Sequence, residues 1–416
     1  MSDDYRNNHY VPVWYQKRFV NEGQKDRLLY FLDLKPGTFT DTRGIVHVKK
    51  PLHLKTPKQC FVQTDLYTTK FGAQISTGIE QSFFGDVDSK GSKAVEYFAS
   101  FSQPSVDAQA LESMLLYMST QKLRTPKGLD WLASTMKASD HNAVLRHMVR
   151  LRQLYSVIWA ECIWQIADAS QSSTKFIVSD HPVTVYNREC GPRSGWCRGT
   201  RDPDIRLNAT HTIFPLSLDK VLILTNLTWV RNPYQSAIDM RPNPAMFRNT
   251  VFDFTAVQTL RLLSEQEVRE INFIIKSRAY RYVAGGKEEW LFPEQHVSKS
   301  NWFTFGNGYL LMPDPRGVDY STGIFLQWSS GSVSKFDAYG RTPRQNGYSF
   351  DDAPDDEYNS LRRFQGEFAA LIGPVRRGRS FHLGRLEPER DDEKRHERHL
   401  MLAKPGRRHG KSAASD

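Results

Sequence analysis

The chain has 416 residues, of which 39% are hydrophobic, 12% aromatic and 25% charged, the composition of a globular protein with ample material for a core. No apolar run is long enough to cross a bilayer, since the most apolar stretch, residues 155–169, is interrupted by Glu161, Gln165 and Asp168. Four cysteines exclude a disulfide framework, and the polar opening Ser2-Asp3-Asp4 carries no apolar signal region, so the expected compartment is the cytoplasm and no membrane partner is expected. The net charge of +10 is concentrated: residues 374–416 hold 12 Arg/Lys against 7 Asp/Glu, a basic tail of the kind that attracts nucleic acid or simply solvates the chain.

Near the N-terminus, Asn8-His9-Tyr10-Val11-Pro12-Val13-Trp14-Tyr15-Gln16-Lys17-Arg18-Phe19 packs a histidine, four aromatics, a proline and two cations into twelve residues. Chain ends are usually sequence-poor, so this stretch is expected to dock into the body of the protein. Residues 27–34, bounded by Gly23 and Pro36-Gly37, read as a buried strand and a tight turn. Residues 45–70 suggest irregular strands and loops. A first long helix is expected from about Gln74, with Ile75, Ile79, Phe83, Val87, Val95 and Phe98 on one face. A second is expected from about residue 107 to 121, capped from Ser105, and a third from about residue 140 to 169.

Strands follow: Lys175-Phe176-Ile177-Val178, then Val183-Thr184-Val185-Tyr186, then His211-Thr212-Ile213-Phe214-Pro215 and Val221-Leu222-Ile223-Leu224-Thr225-Asn226. Residues 188–208, rich in Gly, Pro and Arg, read as an exposed loop. A helix from Ser264 to about Arg281 begins with a capping box, Ser264 with Glu267. Residues 300–345 alternate like a small β appendage, and the chain from about Arg376 is charged and poor in aromatics, as disordered segments are, with a helix expected over residues 387–402.

Several blocks carry a family resemblance. The Asn8 to Phe19 stretch resembles a His-Tyr-Val-Pro opening, with Gln16 near a position where Leu is common. Gly78-Ile79-Glu80-Gln81, Gln121-Lys122-Leu123-Arg124-Thr125-Pro126, residues 176–182, Phe214-Pro215-Leu216-Ser217 and residues 271–282 follow in the matching order. Together, over about residues 6–284, they resemble the bacterial family labelled domain of unknown function 4238. That resemblance implies membership and carries no catalytic assignment.

The candidate chemistry comes from the residues themselves. Asp180 and His181 follow an apolar strand and precede Pro182, which places a carboxylate and an imidazole at a strand end, where binding groups are often held; the structural alternative is an Asx-turn. Glu80 borders an apolar helical stripe and, if buried, needs a cation such as Arg124 or Arg18. His9 suits a metal ligand, a general base or a packing residue. Tyr10, Gln121, Arg124 and His181 are the candidate substrate contacts, Arg124 for a phosphate or carboxylate. His9, Glu80 and Asp180 are the candidate catalytic and metal-holding set, of a type that binds Mg²⁺ or Mn²⁺ for phosphodiester hydrolysis, although their spacing matches no metal motif. Cys190 and Cys197 with His181 are spaced wrongly for a zinc finger. No phosphate-binding glycine loop, Gly-x-Ser-x-Gly elbow or His-Glu-x-x-His is present.

The expected architecture is α+β: a helical middle packed on a small mixed sheet over residues 1–284, a β-rich appendage over 285–375 and a basic, disordered tail over 376–416. The leading expectation is a metal-assisted nuclease or related phosphodiesterase, with nucleic acid also held by the basic tail. The alternatives are a non-enzymatic module that binds nucleic acid or protein, and a small-molecule enzyme using the same pocket.

Overall fold

In the computed structural model of the chain, six strands form the larger of two principal sheets, in the order Thr184–Tyr186, His211–Pro215, Lys220–Asn226, Cys162–Asp168, Val257–Leu262 and Arg379–Ser380. Neighbours run antiparallel except Val257–Leu262, which lies parallel to Cys162–Asp168. The second sheet is antiparallel, in the order Val178–Ser179, Tyr282–Gly285, Leu29–Asp33 and Leu52–Lys55. With the helices Gly85–Ala99, Ala108–Arg124, Pro126–Met136, His141–Arg150 and Glu265–Arg278, the fold is α+β. The structure describes residues 6–21, 23, 27–71, 74–102, 105–138, 140–197, 202–242, 246–247, 250–298, 302–307, 309–318, 320, 323–349, 355–380 and 390–402. Among them, no helix is long and apolar enough to cross a membrane.

The expected long helix over residues 140–169 divides. His141–Arg150 and Ser156–Ala160 are helical, whereas Cys162–Asp168 is the strand at the centre of the larger sheet. Every residue from Cys162 to Ala167 is buried. A strand covered on both faces shows a continuous apolar run rather than alternation, and here that run continued the helical stripe before it. The β-branched Ile163 and Ile166 favour the extended form. The first helix also starts later than its apolar spacing suggests: Gln74–Ser76 is a short strand, Ile79–Phe84 a π-turn, and the regular helix begins at Gly85.

The hinge between the second and third long helices positions the site. Ala108–Arg124 is capped by Asp107, whose carboxylate accepts from the Ala110 N–H at 2.7 Å, rather than by Ser105. It ends at Thr125, which is extended because Pro126 excludes the helical conformation before it. Pro126 then opens the next helix, where its missing N–H costs nothing, and the Thr125 hydroxyl caps Gly128. A side chain at 128 would lie 2.3 Å from the Lys122 carbonyl, so only glycine lets the two helices turn this tightly.

The signature docks as expected. The Tyr15 ring stacks on Phe214 at 5.3 Å and its hydroxyl donates to the Pro215 carbonyl at 2.5 Å, while Arg18 Nε donates to the Leu216 carbonyl at 2.6 Å. Gln16, the departure from the usual Leu, donates from Nε2 to the Val11 carbonyl at 2.7 Å and the Cys60 carbonyl at 3.3 Å, and so ties the segment to the next loop. The capping box at Ser264 and Glu267 forms, opening the helix Glu265–Arg278. In the C-terminal part, the hairpin Gly323–Gln327 with Val333–Asp337 is present, and a helix, Asp355–Ile372, follows it that alternation did not suggest. Its Phe364 and Phe368 pack with Ile163 and Trp229. The charged segment contains a helix, Arg390–Leu402, and the tail after Leu402 lies outside the described residues.

Candidate functional site

The block Gln121-Lys122-Leu123-Arg124-Thr125 ends a helix, so its side chains leave in two directions. Gln121 and Arg124 face the N-terminal segment. Lys122 and Thr125 face the strand end that carries His181.

On the first side the groups satisfy one another. Gln121 Nε2 donates to the Tyr10 carbonyl at 2.8 Å, and its Oε1 accepts from Arg124 Nε at 2.7 Å. Arg124, 1% exposed, pairs with Asp88 at 2.9 Å and lies over the rings of Phe84 and Tyr117. Its carbonyl accepts the Tyr67 hydroxyl at 2.8 Å. Tyr10 is buried, and desolvation with the nearby Asp180 drives its phenol far above the usual range. Glu80 stands beside this cluster on the π-turn, a local geometry frequent at functional sites. Burial raises its carboxyl to about 7 against the pull of Arg124. Among the described residues, its buried Oε2 has no hydrogen-bond partner.

On the second side the groups surround a cavity of about 280 Å³ walled by Trp131, Tyr155 and Trp196. The floor is polar. Lys122 Nζ donates to Asp202 Oδ2 at 2.8 Å and to the Val183 carbonyl at 3.3 Å, and lies 3.2 Å from His181 Nε2. Lys127 Nζ donates to the other Asp202 oxygen at 2.5 Å and to the Arg278 carbonyl at 2.8 Å, which among the described residues leaves one ammonium N–H of Lys127 without an acceptor. The second ring nitrogen of His181 lies 2.7 Å from the Thr125 hydroxyl. Two ammonium groups thus share one carboxylate, which they hold well below the usual carboxylate range although it is buried. Burial lowers Lys122 despite Asp202. Burial, then the charge of Lys122, lowers His181 to about 3, so its imidazole is neutral at neutral pH. At the rim, Arg206 is paired with Asp204.

Asp180, one residue from His181, points away from this cavity. Its two oxygens accept the backbone N–H groups of Tyr280, Arg281 and Tyr282 at 2.8, 2.6 and 2.8 Å. Burial nevertheless raises its carboxyl to about 6. The carboxylate clamps the chain as it leaves the helix Glu265–Arg278, a tie across about a hundred residues rather than the local Asx-turn that was the structural alternative. His9 is half-buried on an edge pair of strands, with Nε2 2.8 Å from the Lys58 carbonyl. Among the described residues, no three His, Cys, Asp or Glu side chains gather closely enough to hold a metal ion. His9, Glu80 and Asp180 therefore stand apart, whereas Tyr10, Gln121 and Arg124 do meet and His181 lines the cavity. Cys190 and Cys197 are buried free thiols, Cys197 receiving an N–H from Arg278 at 2.9 Å.

Sequence reasoning missed Lys122, Thr125, Lys127 and Asp202. The first three were within reach, because lysines beside Leu123 at a helix end next to Pro126 must either extend to water or find a buried acceptor. Asp202 had no local signal, since it lies within the loop over residues 188–208 that is rich in Gly, Pro and Arg and reads as solvated.

Comparison with known proteins is consistent with this core being a shared unit. No curated protein and no solved structure matches the chain. One family model matches residues 7–157 and 153–289, which takes in the signature, both sides of the helix hinge and the second sheet. The chain belongs to that family, described as "Protein of unknown function (DUF4238)".

Proposed function

We propose that the cavity beside Asp202 is the functional site, that it takes a phosphate group carried with an aromatic base, and that the protein acts on nucleic acid as a nuclease or related phosphodiesterase. The observation that carries this reading is the sharing of Asp202 by two buried lysines beneath aromatic walls. One carboxylate against two ammonium groups leaves a net positive charge in a partly desolvated site, where an anion is bound more strongly than in water. The free N–H of Lys127 is the first donor to a phosphate oxygen, and Trp131 and Trp196 offer faces for a base. His181 is unprotonated at neutral pH and has both ring nitrogens engaged, Nε2 by Asp202 at 3.1 Å and Lys122 at 3.2 Å and Nδ1 by the Thr125 hydroxyl at 2.7 Å, so it accepts a proton from water only where bound substrate displaces one of those contacts.

A shared divalent ion at His9, Glu80 and Asp180 does not fit these residues. Both Asp180 oxygens are occupied by backbone donors, His9 meets a carbonyl, and Glu80 belongs to the Arg124 side.

The test is titration of the purified protein with a nucleoside monophosphate and a short oligonucleotide, together with a cleavage assay run with Mg²⁺, with Mn²⁺ and with a chelator. Lys127→Met is expected to weaken binding at least tenfold, and His181→Gln to abolish cleavage while binding persists. Binding without cleavage in the wild type would leave a nucleic-acid-binding module. Binding unaffected by Lys127→Met would remove this cavity from consideration.

A further inference from the structure

Residues 190–197 form a run of turns beside the cavity. The N–H groups of Cys190, Ser194 and Cys197 donate to the carbonyls three residues earlier, Asn187, Gly191 and Ser194, at 3.0, 2.9 and 3.0 Å. Turns in succession fold the segment back on itself, and its two cysteines meet at one side chain. Arg278 Nη1 donates to Cys197 Sγ at 2.9 Å, and Nη2 donates to the Cys190 carbonyl at 2.5 Å. Cys197 Sγ lies 3.6 Å from that same carbonyl. The two cysteines and Leu207 pack as a small cluster of their own, apart from the main core that holds Cys60 and Cys162.

Cysteines that only fill space need no cation beside them. Here a guanidinium N–H is aimed at a sulfur, where charge gathers when a thiol gives up its proton, and the thiolate is the attacking form. The pair is unequal in access. Cys197 is 7% exposed and follows the exposed Trp196, whereas Cys190 is fully buried. Burial, then the neighbouring Cys197, pushes the Cys190 thiol up to about 12. The segment also borders the cavity: Trp196 is one of its walls, and the Arg278 carbonyl accepts Lys127 Nζ at 2.8 Å.

We propose that Cys190 and Cys197 are a redox site, closed into a disulfide by exchange with a small-molecule disulfide such as oxidised glutathione, and that closure moves the Trp196 wall of the cavity. The Cys197 sulfur attacks one sulfur of the glutathione disulfide. That S–S bond breaks, one glutathione leaves as a thiol with the proton Cys197 gave up, and a mixed disulfide remains. The Cys190 sulfur then attacks the Cys197 sulfur and expels the second glutathione, which takes the Cys190 proton. The chain has lost two hydrogens and two electrons, and two glutathione thiols have gained them. A sulfur already resting on its partner's main chain leaves closure to side-chain rotation and a small adjustment of the turns. Closing draws Cys197 off Arg278 and carries Trp196 with it. The disulfide uses residues other than those that hold the phosphate, and it forms whether or not the cavity binds a ligand.

The experiment is incubation of the folded full chain in glutathione buffers of rising oxidised-to-reduced ratio, followed by denaturation, alkylation and mass spectrometry. Loss of two of the four thiols is expected, as a linked Cys190–Cys197 peptide two hydrogens lighter, with Cys60 and Cys162 still alkylated. Cys190→Ser is expected to stop Cys197 at the glutathione adduct, and Cys197→Ser to leave Cys190 unmodified. Tryptophan emission of the wild type is expected to change on oxidation and return with dithiothreitol, and most of that change should vanish in Trp196→Phe. Neither readout uses a cavity ligand, so failure here is distinct from failure of the phosphate reading. A glutathione adduct on wild-type Cys197 that never closes, no reaction at either cysteine, or oxidation of all four at one rate would overturn the disulfide. Emission unaltered by closure would overturn its coupling to the cavity.

Discussion

The two sides of the helix end at residues 121–125 use similar residues and reach different states. On the Arg124 side, one guanidinium meets one carboxylate, Asp88, together with Gln121 and two aromatic rings, so its charge is paired within the protein. On the Lys122 side, two ammonium groups divide one carboxylate and border a cavity. The first arrangement is what a buried charge needs in order to be tolerated at all. The second retains an uncommitted donor and an excess charge, which an external anion can use. Burial of polar residues therefore does not by itself separate a site from a scaffold; unspent capacity facing a cavity does.

The largest expected effect follows from removing the closed pairing. Arg124→Met leaves Asp88 and the Gln121 carbonyl without their partner, and since Asp88 retains partial access to water the expected loss is about 2–4 kcal/mol. Urea unfolding with an unchanged m-value would measure it. Ligand affinity at the cavity should hardly move, and a large loss of affinity without loss of stability would reverse the assignment of the two sides.

A smaller effect separates the sides by pH. The Glu80 carboxyl lies near 7 in the folded protein against an ordinary 4.5. Between those values the folded state binds more protons than the unfolded chain, so this contribution is fully present below pH 4.5 and is lost as pH rises through 7. His181 runs the other way: its folded value near 3 lies below the ordinary 6.5, so its contribution is present above 6.5 and is lost as pH falls toward 3. Glu80→Gln is expected to remove a decline of at most about 3 kcal/mol on the rising limb, and His181→Gln to flatten the acid limb. Stability curves of the two variants that tilt in the same direction would contradict the contrast.

The smallest effect on folding is expected at the open side. Lys122→Met leaves Asp202 paired with Lys127 and replaces a desolvated charge by a side chain of similar length, so the change in stability should stay within about 1 kcal/mol. A loss as large as that of Arg124→Met would show that the cavity is scaffold too.

Much of the frame was legible from local pattern. The capping box at Ser264, the strands at 211–215 and 220–226, and the docking of the aromatic signature all follow from short-range rules on turns, caps and alternation. Tyr10, Gln121 and Arg124, candidate substrate contacts in the sequence, meet one another in the structure through the Tyr10 carbonyl and the Gln121 amide. Two things escaped. Cys162–Asp168 continued a helical stripe because burial on both faces erases the period that distinguishes strand from helix. Asp180 drew attention as a strand-end carboxylate, yet its work is to cap the backbone at residues 280–282.

Family membership, the α+β class and the position of the hinge at Thr125-Pro126 were determined by the chain's local chemistry, since each rests on residues a few positions apart. The site was decided by the tertiary structure. Asp202 lies 80 residues from Lys122 and 75 from Lys127, and nothing in its own neighbourhood marks it. Which acid meets a buried lysine depends on where a long loop returns to the fold, and that is set by packing at a distance rather than by any spacing in the sequence.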